Sequence, residues 1–179
     1  ASVELVDVMV RNSTATSGRG GAVFAQGDLR AVRSRFESNA ATERGVGSRG
    51  SGGALAALGD ISVIDSELSN NSATYDGGAV VAGSGRSLVM EGSTITANVS
   101  HFGRGGAVFA GANVTVSISD TVFDSNVAAA ASIGGGAIYA DGVITIAESR
   151  FVANEARSIE VASYLSTGGG GGAIYSEGQ

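Results

Sequence analysis

The sequence has no cysteine, no proline, no tryptophan and no lysine. Without cysteine, neither a disulfide framework nor a thiolate metal site is available. A chain of 179 residues must then hold together by burial and backbone pairing. The missing proline argues against a disordered linker. Glycine-rich linkers carry Pro, Ser or Gln and few aliphatics, whereas this chain combines 29 glycines with a hydrophobic fraction of 43%. The glycines therefore belong to tight turns of a folded object. Basic charge is also scarce. Eleven arginines against 17 Asp and Glu leave a net charge of −6, which speaks against nucleic acid as a partner. No run approaches the roughly 18 apolar residues that span a membrane, so direct membrane insertion is not expected. Residues 1–10 lack the basic start and apolar run of a signal peptide, so any targeting segment is expected to lie upstream or to have been removed.

What is present is a repeat. Gly-Gly-Ala-aliphatic begins at Gly20, Gly52, Gly77, Gly105, Gly135 and Gly171. A second motif places Asn three positions after a large apolar residue: Met9 and Asn12, Phe36 and Asn39, Leu68 and Asn71, Ile95 and Asn98, Phe123 and Asn126, Phe151 and Asn154. The two motifs alternate strictly. From Gly-Gly to the large apolar residue the distance is 16, 16, 18, 18 and 16 residues, while the gap from Asn to the next Gly-Gly holds 7, 12, 5, 6, 8 and 16. A constant frame with one variable loop is the signature of a solenoid. Within one repeat, residues 137–140, 143–146 and 150–153 read as short strands, with Asp141-Gly142 as a turn. Such strands are stable only when each coil pairs with copies above and below, about 4.8 Å away, and parallel crossovers are right-handed. The expected fold is all-β, a right-handed parallel β-helix of the pectin-lyase-like kind. It should have about six coils of three short strands each. Residues 1–179 are read as one segment of a longer array, without its caps.

Stacking the repeats in columns assigns inside and outside. Val23, Leu55, Val80, Val108, Ile138 and Ile174 are always aliphatic and belong in the core. The next column, Phe24, Ala56, Val81, Phe109, Tyr139 and Tyr175, alternates to the opposite face. Its aromatics are either a stacking surface for a glycan or protein partner, or a cross-strand ladder, exposed or covered by a loop. Asp7, Ser34, Ser66, Ser93, Thr121 and Ser149 read as a hydroxyl-lined bend. Thr14, Ala41, Ala73, Ser100, Ala128 and Ala156 read as a crowded corner. An amide both donates and accepts, so Asn12, Asn39, Asn71, Asn98, Asn126 and Asn154 are expected to form a structural ladder along the stack.

Chemistry-bearing residues are few. The column Arg33, Asp65, Gly92, Asp120 and Glu148 would set Asp120 and Glu148 about 5 Å apart at the backbone. That is an acid/base pair of the kind polysaccharide-active enzymes use, or a corner of solvated charges. The lone His101 has no second His or Cys beside it in the sequence, which leaves a triad or zinc site without partners. No catalytic, metal-ligating or cofactor-binding residues are assigned. Of four Asn-x-Ser/Thr sequons, Asn70 and Asn113 are the better acceptors, because Asn12 and Asn98 sit in the ladder. The longest loops are residues 40–51 and 155–170, and Tyr164 and Leu165 in the second add an apolar candidate contact surface.

Gly135-Gly136-Ala137-Ile138 with Phe151-Val152-Ala153-Asn154, and Gly105-Gly106-Ala107-Val108 with Phe123-Asp124-Ser125-Asn126, resemble the repeats of chlamydial polymorphic outer membrane proteins. Met9, Leu68 and Ile95 replace Phe in other copies, and Leu55 or Val80 replaces Ile. The resemblance covers essentially the whole chain and implies an exported, adhesive β-helical passenger. The function expected is a non-catalytic extracellular or cell-surface scaffold that meets a protein or glycan. The alternatives are a structural component of a filament or larger assembly, with neighbouring subunits as partners, and a polysaccharide lyase, hydrolase or epimerase.

Overall fold

The fold was analysed in a computed structural model that describes residues 1–43, 50–130, 134–158 and 170–177. All strand pairing in it is parallel, and the strands fall into three sheets of ten, six and six strands. Each coil contributes to each sheet in turn, so the chain winds as a parallel β-helix. One coil reads as Ile138–Ala147 in the first sheet, Arg150–Val152 in the second and Glu155–Ser158 in the third.

Two details differ from the sequence reading. The runs on either side of Asp141-Gly142 belong to one sheet, because Val108–Ser119 and Ile138–Ala147 pass straight through the intended turn with only a register shift after Ala110. The third sheet is instead built after the Asn motif, from Thr14–Thr16, Ala40–Thr42, Ser72–Ala73, Val99–Ser100, Val127–Ala130 and Glu155–Ser158. The crowded corner is therefore a strand.

The core is a stack of like residues. Leu55, Val80, Val108 and Ile138 pair in register and are fully buried. Phe36, Leu68, Ile95 and Phe123 form a second buried column, and Phe151 stacks on Phe123 with ring centroids 4.8 Å apart. Each buried side chain meets its counterpart one coil away, so the apolar interior is continuous.

The second glycine of each Gly-Gly pair marks the narrowest part of the coil. A Cβ at Gly53, Gly78, Gly106 or Gly136 would run into the carbonyl oxygen of the stacked glycine and into the backbone of the third-sheet strand opposite, at Ser72, Val99, Val127 and Glu155 respectively. Two backbones meet there with no room for a side chain.

The first copy of the Asn motif corrects the expected register by one residue. Val10, not Met9, pairs with Phe36, and Met9 is 58% exposed. The Ser13 amide donates to Asn39 Oδ1, so Ser13 and not Asn12 holds the ladder position. Asn12 is exposed, with φ of 54°. It aligns with Ser38, Asn70, Ala97, Ser125 and Ala153, which all have positive φ. Asn tolerates that left-handed conformation better than most residues, so two adjacent columns both admit Asn. By the same shift Asp7 leaves the hydroxyl column, and Ala15, not Thr14, pairs with Ala41.

Candidate functional site

From Asn39 onward the Asn column is the structural ladder expected of it. Asn39, Asn71, Asn98 and Asn126 are fully buried. Each Oδ1 accepts from the backbone N–H one coil back, at 2.9–3.1 Å, and each Nδ2 donates to the next Oδ1 and to a carbonyl of the coil before. The column Asp7, Arg33, Asp65, Gly92, Asp120 and Glu148 forms another corner of positive φ. There Arg33 grips Asp7 with two hydrogen bonds of 2.8 Å and holds its carboxyl below the usual range. Asp120 and Glu148 are both exposed, on adjacent coils. Among the described residues no group of three or more His, Cys, Asp or Glu is placed to hold a metal ion. His101 is exposed, as are Asn70 and Asn113. Tyr164 and Leu165 lie outside the described residues.

The aromatic column is the part of the outer surface with a built geometry. Phe24, Ala56, Val81, Phe109, Tyr139 and Tyr175 pair in register up the first sheet. Phe109, Tyr139 and Tyr175 stack, with centroids 5.4 and 5.6 Å apart. The Arg104 guanidinium carbon lies 4.9 Å from the Phe109 centroid and 4.4 Å from that of Tyr139. Arg104 Nη1 donates to the Tyr139 hydroxyl at 2.9 Å, and that hydroxyl donates to Glu177 at 2.5 Å. Tyr175 donates to the other Glu177 oxygen at 3.1 Å.

The two readings of this column divide between its members. Tyr139 is 1% exposed, closed in by two rings and a guanidinium. Burial, with the hydrogen bond to Glu177, pushes its hydroxyl up to about 12. Tyr139 is a ladder residue. Phe109 and Tyr175 are half-buried, and Phe24 is exposed at 44%.

Below Phe109 the stack is interrupted. Val81 and Ala56 occupy the next two rungs, and the next ring in the column is Phe24. Against Val81 lies a groove of about 290 Å³ with Ala82 and Phe109 also in its lining, while Ala56 is fully buried. Arg19, Ser51, Asp76 and Arg104, which precede the Gly-Gly pairs, also line it, as do Leu58, Ser84 and Gly111. Arg19, Ser51, Asp76 and Arg104 form a column of their own, one residue before each Gly-Gly pair. It was readable from the repeat, but its variable residue types hid it. Asp76 Oδ1 accepts the Arg104 backbone N–H at 2.9 Å and lies 3.6 Å from its guanidinium.

A family model described as a right handed beta helix region matches residues 2–175. The chain belongs to that family. The match and the three parallel sheets agree on a right-handed β-helix repeat protein. Neither a curated protein nor a solved structure matches it. This β-helix thus carries a groove on the outside of its Gly-Gly-Ala strands, and two corners whose recurrent polar side chains bond coil to coil.

Proposed function

We propose that this β-helix is a non-catalytic scaffold, working outside the cell or at its surface, that holds a protein or glycan partner against the outer side of its first sheet. What carries the reading is the division of labour among side chains. The recurrent buried Asn, Ser and Thr bond neighbouring coils, whereas the outward column changes from coil to coil between aromatic and small. Phe24 and Leu58 expose 44% and 42% of their surface, which leaves apolar area that a partner would cover. The likeness of the Gly-Gly-Ala and Phe-x-x-Asn motifs to chlamydial polymorphic outer membrane proteins supports an adhesive passenger.

The test is saturable binding of the purified chain to cell surfaces and matrix preparations, compared with a Phe24→Ser/Leu58→Ser variant. The expected result is binding that the double variant weakens at least tenfold with its melting temperature kept. Regular lateral or end-to-end assembly without any ligand would replace this reading with a structural one. Turnover of an acidic polysaccharide, abolished by Asp120→Asn or Glu148→Gln, would replace it with an enzyme.

A further inference from the structure

The outward column stacks one ring per coil from Phe109 to Tyr175. The face of Phe109 turned away from Tyr139 therefore looks onto the coil of Val81, where the column has no ring. From Phe24 to Phe109 is three coils, about 14 Å at the usual strand spacing, and the two rungs between carry only Ala56 and Val81. The groove at the Val81 end of that gap, about 290 Å³, is at the small end of ligand clefts. It has room for one ring resting against Phe109.

Its rim limits what that ring is. Arg19, Asp76, Ser84 and Arg104 all line it, and Asp76 and Arg104 offer an acceptor and a donor side by side. An apolar aromatic ring would fill the slot but strip water from Arg19 and Ser84 and give the remaining sites of Asp76 and Arg104 no partner, which is costly. A pyranose has an apolar C–H face for the ring of Phe109 and a rim of hydroxyls that both donate and accept. Arg104 is partly held by Tyr139 and Asp76, so its position is set before any ligand arrives, which lowers the cost of binding.

We infer that the gap in the aromatic column between Val81 and Phe109 is a binding slot for a single pyranose ring of a surface glycan, its C–H face on Phe109 and its hydroxyls on Asp76, Arg104 and Ser84. This rests on the reading of the chain as a surface-binding scaffold and names the ligand class. Arg19 has no ion pair among the described residues. It stands in the same groove, so a neutral sugar and a uronate are distinguished by whether Arg19→Gln alters binding.

The experiment is calorimetric titration of the whole chain with neutral hexose trisaccharides, uronate trisaccharides and a tyrosyl tripeptide. Val81→Phe extends the existing stack into the gap and is expected to abolish sugar binding while leaving the melting temperature within a few degrees. Phe109→Leu keeps an apolar floor without a π face and is expected to weaken binding about tenfold, the size of one aromatic stacking contact. The inference is overturned if no trisaccharide binds, if Val81→Phe folds and binds as the parent does, or if the tyrosyl peptide binds and the sugars do not. Should sugars fail while the parent chain still adheres to cells through Phe24 and Leu58, the slot is wrong and the scaffold stands. Loss of both sinks the two readings together.

Discussion

The two left-handed corners of each coil look alike in backbone and differ in chemistry. At one, Arg33, Asp65, Gly92 and Asp120 take positive φ, and a buried hydroxyl follows. At the other, Ser38, Asn70, Ala97 and Ser125 do so, and a buried amide follows. In both, the following residue accepts the backbone N–H of its counterpart one coil earlier. The hydroxyl then turns back on its own coil, as Ser66 Oγ donates to Ile64 O at 2.7 Å. The amide has donors left over and reaches both neighbouring coils. The same backbone bend is thus closed by Ser with its short bond on its own coil and only long, 3.4 Å contacts to the carbonyls of the coil before, and across three coils by Asn. Asn is required only where the stack depends on it.

The sharpest way to break this comparison is Asn98→Ala. It removes the acceptor of the Asn71 backbone and side-chain N–H groups and the donor to Leu68 O and Asn126 Oδ1. With several buried groups unpaired, the cost is about 3–5 kcal/mol in a denaturant titration. At the other corner Ser93→Ala removes one acceptor, that of the Ser66 N–H, one local bond to Glu91 O and a long contact to Val63 O. It is expected to cost about 1–2 kcal/mol, and an equal or larger loss than at Asn98 would erase the distinction drawn here. The smallest effect has the opposite sign. Ala97 holds φ at 53° without a side chain that favours it, so Ala97→Gly relieves strain and gains roughly 0.5–1 kcal/mol in thermal unfolding.

The coil itself was legible, because Gly-Gly-Ala and Phe-x-x-Asn recur with a constant interval, and the aliphatic column landed in the core as read. The third sheet was not, because runs such as Ser72–Ala73 and Val99–Ser100 are two residues long and show no alternation. The slip at Asn12 has a chemical cause. A left-handed corner and a ladder position both suit Asn, and Asn70 beside Asn71 shows the two roles side by side. Alternation did place Phe24 and Tyr139 on the outer face, but whether an outward ring is exposed depends on its neighbours above and below. Tyr139 has a ring on each side and Phe24 has Ala56 beside it. The groove arises from that contrast, and only the order of residues up the column reveals it.

The amide ladder also gives the rod a direction. The side-chain carbonyls of Asn39, Asn71, Asn98, Asn126 and Asn154 all accept from the coil before them. Their dipoles therefore add along the axis instead of cancelling, and each such bond polarises the next. A coil presented upside down would set carbonyl against carbonyl. The amide column acts as a polarity check, so that coils stack in one sense only.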